Sequence, residues 1–262
     1  MLHLAGPLQS WGERSQFNQR DTAPFPTRAG VIGLLASALG RDRGAPIDDL
    51  TGLRLTVRSD RPGVLLRDLH TVGGGLSGRD TVTTAEGRKR SGATATLLSH
   101  RYYLADAAFT AAITGEDADL LEACAQALRA PKWPPYLGRR SCPPEGPLLL
   151  GLLHEPLRHL VQLPLATRAT GEQPIRVTFH SDQPLHQLPG HEHDIEGAEP
   201  AGDITDDPLG YHPRHRAYRS RARYQRVLTL PAQQCAGLGT AYLTRVAAYL
   251  DQRTSQTEEG SA

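Results

Sequence analysis

The first forty residues constrain the fold more than any other stretch, because they combine an apolar run, a glycine turn and a helix rich in small residues. Residues 2–5 (LHLA) are typical of the start of a strand, and residues 6–12 (GPLQSWG) are typical of a turn. A helix is predicted from Thr27, whose hydroxyl can accept a hydrogen bond from a free amide, to Gly40, which suits the left-handed conformation. Gly30 and Gly33 each cost an isolated helix about 1 kcal/mol relative to alanine, so we expect this face to pack closely against a sheet. The stretch therefore predicts the beginning of an α/β layer.

The elements after residue 40 follow an order that defines a fold class. Alternating apolar and polar residues predict half-buried strands, apolar residues at helical spacing predict a helix, and a continuous apolar run predicts a buried strand. In chain order these are a strand at 53–58, a strand at 103–113, a helix at 115–131 and a strand at 148–153. With the first strand and helix the order is β-α-β-β-α-β, the ferredoxin-like or RRM-type arrangement of an α+β domain.

Residues 66–101 interrupt this order with a stretch that is too polar and too rich in glycine to build its own core. We expect a projecting β-hairpin, a thumb, whose basic tip consists of Arg88, Lys89 and Arg90. The tip could contact a phosphate backbone, or it could be a solvated charged turn. The RRM-like domain that contains this insertion is expected to span residues 1–154.

The remainder, residues 155–253, is expected to form a smaller, mainly β part that ends in an amphipathic helix. Its predicted strands lie at 159–165, 175–180 and 227–230, and the helix is built on Tyr242, Val246 and either Tyr249 or Leu250. We expect a poorly ordered acidic loop at 181–210 and a flexible tail at 254–262.

The charges are balanced in number but segregated along the chain. A net charge of +1 excludes a generally basic nucleic-acid-binding domain, for which a pI above about 9 is expected. Eight acids and no lysine or arginine lie between Arg176 and Arg214, and a run of arginines begins there with Arg214 and Arg216. Of the 29 lysines and arginines, only Lys89 and Lys132 are lysines. Either a GC-rich genome or a functional need for arginine explains this preference for arginine. Local basic patches can therefore form despite the neutral total.

The sequence predicts a cytoplasmic protein that does not enter a membrane. No apolar run approaches the roughly 20 residues of a membrane-spanning helix. The first ten residues lack the pattern of a secretory signal. Cys124, Cys142 and Cys235 are odd in number and lack CxxC spacing, so we expect reduced thiols.

The segment 134–144 (PPYLGRRSCPP) is a candidate for contacts with single-stranded RNA. Its prolines stiffen the chain, and Gly138 would let a ligand approach the backbone. Tyr136, Arg139 and Arg140 offer stacking and phosphate contacts. A rigid surface loop whose tyrosine packs inward explains the same residues, and the sequence leaves both interpretations open.

Two further stretches combine arginine with aromatic residues. At 100–103 (HRYY), a strand would place Arg101 and Tyr103 on one face. The run 212–221 (HPRHRAYRSR) is the densest basic and aromatic stretch of the chain, and a solvated basic loop is its alternative interpretation.

Signals of catalysis or of a bound cofactor are weak. The chain has no Gly-rich phosphate loop, HExxH, GxSxG or paired Cys/His zinc spacing, so we expect neither a cofactor nor a metal. Four histidines could bind a metal, but their irregular spacing in acidic surroundings favours a solvated loop; they are His180, His186, His191 and His193. His70, His100 and Tyr102 could act as general acid and base on a ribose 2′-hydroxyl, although nothing in their spacing requires it.

Six stretches, taken in order, resemble the CasD-type subunit of the type I-E CRISPR Cascade complex. They are LAGPLQSWG (4–12), RDT (20–22), PTRAGVIGLL (26–35), DLHTV (68–72), RYYLAD (101–106) and YLGRR (136–140). The resemblance covers about residues 2–230, and its N-terminal block is the most specific part. It implies an RRM-like domain of the repeat-associated (RAMP) superfamily with a thumb at the position of the polar insertion.

The resemblance implies a non-catalytic subunit that grips the repeat-derived 5′ handle of the CRISPR RNA and caps the backbone filament. The implied protein partners are the CasC backbone subunits and the large CasA subunit, and the thumb would meet target DNA at the start of the guide–target duplex. Carried over residue by residue, the handle contacts are Arg101, Tyr136, Arg139 and Arg140, and the thumb-tip contacts are Arg88, Lys89 and Arg90. Arg20, Tyr103, Arg214 and Arg216 complete the predicted RNA-binding set, the last two from a run that matches the family loosely.

Two other classes of function stay open. A related branch of the family cuts CRISPR precursor RNA, so a metal-independent endoribonuclease is the second hypothesis. The third is an assembly scaffold that touches only protein.

Overall fold

The computed structural model describes residues 1–13, 18–73, 75–76, 79–84, 87–90, 92, 95–186, 188–189, 199–212 and 215–259, with side chains as far as residue 252. Its strands are β1 (Leu2–Gln9), β2 (Gln19–Arg20), β3 (Arg54–Arg61), β4 (Val64–Val72), β5 (Leu97–Thr114), β6 (Ile175–Ser181), β7 (Gly202–Gly210) and β8 (Ala217–Leu230). Its helices are α1 (Arg28–Ala38), α2 (Asp48–Thr51), α3 (Ala118–Arg129), α4 (Pro156–Gln162) and α5 (Gly239–Glu259). The fold is a mixed α and β structure, as predicted, and its sheet is mostly antiparallel.

The centre of the sheet is β5, which is 18 residues long and pairs with β1, β2, β3 and β4. Its second half lies between β1 and β3 and is antiparallel to both. From β3 the sheet continues through β6 and β8 to β7. The strand thus belongs both to the packed sheet and, through its first half, to a two-stranded extension with β4.

A bend separates β3 from β4, so that β4 and residues 97–105 of β5 form a ribbon that leaves the packed sheet. Gly63 at this bend has a φ of 74°, and a Cβ atom there would lie 2.6 Å from the carbonyl oxygen of Ala105. Nearby Asp106 also has a positive φ, of 55°. Most residues of β4 are exposed, because little of the core reaches the ribbon.

The first forty residues contain a strand and the predicted capped helix, but the turn predicted to begin at Gly6 is wrong, because β1 pairs with β5 as far as Gln9. Gly30 N donates a hydrogen bond to Thr27 Oγ1 at 3.3 Å, which caps α1, and Gly40 has a φ of 75°. Gly30 permits a close approach, because a Cβ atom there would lie 2.5 Å from the ring of buried Trp11. The face of α1 that carries Gly30 therefore packs against the side chain of Trp11, which follows β1, whereas we expected this face to pack against the sheet.

The sheet carries an apolar core on each face, because neighbouring residues of β5 point to opposite sides. Phe109 and Ala111 belong to the core beneath α1. Ala108 and Ala112 belong to the core covered by α4 and α5. A smaller cluster joins α1, α2 and α3.

A buried ion pair attaches α4 to the sheet. Arg58 Nε donates to Asp60 Oδ1 at 2.6 Å, and both side chains are 0% exposed. The other nitrogens of the guanidinium donate to the backbone carbonyl oxygens of Leu160, Leu163 and Pro164. The end of α4 is thus held on β3 by a charge that has partners on every side.

The last predicted strand, at residues 148–153, is wrong. This segment forms an isolated bridge between Leu2 and Leu149 with two backbone hydrogen bonds beside it, of 2.8 and 3.0 Å. Leu148 packs into the core beneath α1, and Leu150 packs against the opposite core. A continuous apolar run indicates that a segment is buried but not that it is a strand. An irregular segment between two cores is also buried.

Three predictions for the second half also need correction. Most of residues 159–165, expected as a strand, belong to α4, whose first turn is favoured by the fixed φ of Pro156. Residues 181–210, expected as an acidic loop, include β7, because aspartates of this region pair with arginines. The expected tail at 254–262 is helical as far as Glu259, where α5 ends.

The strands predicted at 175–180 and 227–230 are confirmed as β6 and as part of β8. The division of the chain at residue 154 stays a prediction. One sheet runs across this boundary, because β3 pairs with β6 and places Thr56 opposite Ser181.

Candidate nucleic-acid interface

A groove with a volume of about 560 Å³ lies against α1. Its other walls come from residues 10–13, from the loop after α3 and from the hairpin of β7 and β8. Four residues predicted to bind RNA line it together, namely Arg20, Tyr136, Arg139 and Arg216. They are far apart in the sequence, so the fold assembles what the sequence pattern could indicate only separately.

The loop of residues 133–140 is fixed by its backbone, which holds its side chains at the groove. Leu137 is buried, its N–H donates to Cys142 O at 2.7 Å, and its carbonyl accepts from Ser10 N at 3.1 Å. Gly138 has a φ of 83°, and a Cβ atom there would lie 1.8 Å from Ser10 O. The glycine therefore lets the loop pack on Ser10, and the interpretation that it also admits a ligand to the backbone stays a prediction.

The side chain of Arg139 is positioned by contacts with three residues. Its Nη2 donates to Arg20 O at 2.8 Å and to Asp21 O at 3.2 Å, and its Cζ lies 4.9 Å from the centroid of the Tyr103 ring. Tyr103 is buried, so its ring supports Arg139 through a cation–π contact and offers little surface for stacking with RNA. Arg139 Nη1 is buried and has no hydrogen-bond partner in the described part of the chain.

Arg101 extends this basic group along β5. Parallel pairing of β2 with β5 places Arg20 in register with Arg101. Arg101 shares its face of the strand with Tyr103, as predicted, and its Nε also lacks a hydrogen-bond partner among the described residues. Arg140 is exposed beside Arg139. Arginines of β2, β5 and the loop after α3 therefore form one basic patch next to the groove.

The basic run at the start of β8 has two kinds of arginine. Arg219 and Arg221 lie 2.9 and 2.6 Å from carboxylate oxygens of β7 and hold the hairpin together. Arg216 is exposed and lines the groove. Arg214, the other predicted contact of this run, lies outside the described residues.

The acids that follow β6 also accept hydrogen bonds from Arg28 at the start of α1. Its backbone N–H donates to Asp206 at 2.7 Å, and its guanidinium donates to Asp182 at 2.5 Å and Asp207 at 3.0 Å. Burial raises the pKa of Asp182 above its usual value, and the charge of Arg28 opposes this. The segregated charges of the sequence thus meet within the fold, and this network stabilises the structure instead of offering a site for RNA.

The predicted thumb-tip residues, Arg88, Lys89 and Arg90, lie on a small hairpin beyond the ribbon. Thr83 and Lys89 form an antiparallel bridge, and Lys89 Nζ donates to Thr81 O at 3.0 Å. Arg88 and Lys89 are exposed. Their contact with nucleic acid stays a prediction.

The groups considered for RNA cleavage do not form one site. His100 and Tyr102 share a face of the ribbon, because they are two residues apart on β5. Arg67 Nε donates to His100 Nδ1 on that face at 3.2 Å. His70 lies on the opposite face, where its Nε2 contacts the carboxylate of Asp68. This separation does not favour the endoribonuclease hypothesis.

His180, one of the histidines considered for metal binding, belongs to the packed interior. Its ring stacks on Phe25 with a centroid distance of 4.1 Å, and burial lowers its pKa to about 4. His191 and His193 lie outside the described residues. Within the part that is described, no group of three or more His, Cys, Asp or Glu residues could hold a metal ion, and none of its helices is long and apolar enough to cross a membrane.

Three further residues of the groove were missed by the sequence analysis, Trp133, Arg41 and Arg43. Trp133 stands shortly before Tyr136, so the density of aromatic residues in this loop was a usable signal. The two arginines reach the groove because the chain reverses after α1 at Gly40, and no local pattern reports where such a reversal leads.

Comparisons with known proteins agree with this architecture. A family model described as CRISPR-associated protein (Cas_Cas5) matches residues 1–224, which is most of the chain. The protein is thus a CRISPR-associated protein. More particularly, the chain belongs to the Cas5 family.

Individual relatives make the resemblance more specific. Over 164 residues the chain is 38% identical to the CRISPR system Cascade subunit CasD of Escherichia coli (strain K12), which covers 58% of this chain and 69% of that protein. A solved chain described as a CRISPR RNA-guided surveillance complex is 40% identical, with a TM-score of 0.81 over 95% of this chain and 98% of that one. A second, described as a Cas protein, is 34% identical, with a TM-score of 0.59 over 89% and 95%. The predicted resemblance to a CasD-type subunit is confirmed.

Proposed function

We propose that the protein is a non-catalytic subunit of a type I-E CRISPR surveillance complex and that it holds the 5′ handle of the CRISPR RNA. The observation that carries this proposal is the convergence of Arg20, Tyr136, Arg139 and Arg216 in one groove. Membership of the Cas5 family and the similarity to a Cascade subunit support it.

Single-stranded RNA is the ligand that suits these side chains. Unpaired bases stack on aromatic rings and guanidinium planes, and arginines bind the phosphates between them. Tyr136 offers a ring in the groove, and Arg20, Arg139 and Arg216 offer guanidinium groups there.

The sheet supports a ferredoxin-like, RRM-type interpretation of the first part of the chain. The second half of β5 lies between β1 and β3, as a split β-α-β unit requires. Residues 148–150 take the place of the fourth strand beside β1. In this proposal the ribbon with Arg88, Lys89 and Arg90 is the thumb, and it acts at the start of the guide–target duplex.

The partners follow from the same proposal. The protein caps the filament of CasC backbone subunits, contacts the large CasA subunit, meets target DNA indirectly through the thumb and works in the cytoplasm. The ribbon exposes Val64, Leu65 and Leu69, and an exposed group of large apolar residues commonly marks a protein interface.

Binding of handle RNA to the purified full chain tests the proposal. We expect single-stranded RNA with the repeat-derived 5′ handle to bind more tightly than a scrambled RNA of the same length. Arg139→Ala should weaken this binding by about 1–3 kcal/mol, because it removes a charge-assisted and stacked contact. Filter binding at one fixed salt concentration measures the effect, since phosphate contacts depend strongly on salt.

Arg158→Ala is the matched control, because this arginine lies on α4 outside the groove and forms an exposed pair with Glu155. It should leave the affinity unchanged. Equal losses in Arg139→Ala and Arg158→Ala would contradict the proposed role of the groove. Metal-independent cleavage of repeat RNA that disappears in His100→Ala would favour the endoribonuclease instead.

A further inference from the structure

The groove contains two aromatic rings that the predicted handle contacts do not include. Trp133 lies in the loop after α3 and Tyr218 on β8, and both line the groove while 38% exposed. Lys132 N donates to Ala38 O at 2.9 Å, which brings Trp133 to the end of α1. Two large aromatic side chains that stay exposed towards one cavity provide surfaces on which a planar ligand can stack.

The lining of the groove also includes Gly33 of α1, a residue that the fold itself does not require. A Cβ atom at Gly33 would first meet the ring of Tyr211 at 3.5 Å, an ordinary van der Waals distance, whereas a Cβ atom at Gly30 would collide with Trp11. Glycine in a helix is less stable than alanine. Packing therefore explains Gly30 but leaves Gly33 unexplained.

Two polar groups that line the groove, the Arg41 guanidinium and the Tyr211 hydroxyl, already have hydrogen-bond partners. Arg41 donates to Asp49 at 2.6 Å with Nη1 and also with Nη2. The Tyr211 hydroxyl donates to Ala29 O at 2.5 Å. Burial, and to a smaller extent the nearby Tyr218, raises the pKa of this hydroxyl, so it stays neutral. The Arg41 guanidinium and the Tyr211 hydroxyl are thus already bonded, while the exposed aromatic rings offer apolar faces to a base.

We propose that the part of the groove at Gly33 is a slot for one unstacked nucleobase. The base lies over Gly33 and stacks on Trp133 or Tyr218. The inference rests on the proposed binding of single-stranded RNA and adds a second kind of contact to it. Arg20, Arg139 and Arg216 hold the sugar–phosphate backbone at the rim, while the slot holds a base. One nucleotide of the bound strand is therefore turned away from its neighbours.

Filling the slot without removing any charge tests this proposal. Gly33→Ala should raise the melting temperature, because alanine favours the helix, and Gly33→Ala and Gly33→Leu should weaken handle binding progressively, by about tenfold for leucine. Trp133→Ala, a change at an exposed residue, should weaken binding to a similar extent. Gly210→Ala is the matched control, because a Cβ atom there meets nothing within 4 Å and the residue is outside the groove lining.

Handle RNAs with one abasic nucleotide at successive positions identify the base in the slot. At one position, loss of the base should weaken binding to the unaltered protein but have no further effect on Gly33→Leu. Additive effects at every position, or full affinity in Gly33→Leu and Trp133→Ala, would overturn the slot. If Arg139→Ala still weakens binding in that case, the proposed function stands without the slot; if no variant affects binding, both fail.

Discussion

Replacing Arg58 with leucine tests whether the buried ion pair holds α4 on the sheet. The change removes the partner of the Asp60 carboxylate, which is completely buried. It also removes the donors to the carbonyl oxygens of Leu160, Leu163 and Pro164. Loss of one partner of a buried pair typically costs about 3–5 kcal/mol, an overall figure that includes the hydrogen bonds lost with that partner.

Other contacts of Asp60 limit the loss. Its Oδ2 accepts hydrogen bonds from the Thr110 hydroxyl at 2.9 Å and from Ala166 N at 3.1 Å. Without Arg58 the buried carboxyl group can also take up a proton instead of remaining charged. We therefore expect the free energy of unfolding to fall by about 4 kcal/mol, near the middle of the range for such pairs.

Urea unfolding followed by circular dichroism measures this loss, with midpoints compared at equal slopes. Arg158→Ala provides the control, because its ion pair with Glu155 is exposed and such pairs contribute at most about 1 kcal/mol. A double variant, Arg58→Leu with Asp60→Leu, should recover part of the loss by removing the unpaired charge. The argument would be refuted if Arg58→Leu lost no more stability than Arg158→Ala.

Two further predictions concern acid stability and the thumb. Burial lowers the pKa values of His3 and His180 to about 4, so between pH 6.5 and 4 the unfolded chain binds more protons than the folded one. Stability should therefore rise with pH through this window, by up to roughly 3 kcal/mol for each histidine, and His180→Leu should remove part of the slope of urea midpoint against pH; an unchanged slope would contradict the assignment. Deleting residues 76–96 should impair pairing with target DNA more than retention of CRISPR RNA in the assembled complex, and loss of the RNA would mean that the ribbon has another role.

The sequence allowed prediction of elements whose signals are local. The cap at Thr27 depends on a side chain and an amide three residues apart, and the strand at 175–180 depends on its own alternation. The errors occur where a partner distant in sequence decides the structure. Residues 148–153 are apolar because they reach two cores, and β7 forms because its aspartates meet arginines of α1 and β8.

The candidate site was predictable to a similar degree. The density of arginine and tyrosine in 136–140 singled out a segment that lines a groove, and its contact with RNA stays a prediction. The position of Tyr103 beneath Arg139 could not be predicted, because alternation along a strand indicates a shared face and not which residue covers which. Gly138 shows the same limit, since its contact with Ser10 arises from the packing of two distant loops.

Arginine is abundant throughout this chain, so its abundance cannot identify the RNA-binding surface, but hydrogen-bond partners can. Arg28, Arg58 and Arg221 have carboxylate partners, and all three also donate to backbone carbonyl groups of other elements. Removing any of them should first reduce stability. Arg139 instead has backbone carbonyl groups and a ring as partners, and its Nη1 has no hydrogen-bond partner among the described residues. In these contacts no carboxylate neutralises the positive charge of Arg139. The guanidinium can therefore form a charge-assisted hydrogen bond with a phosphate.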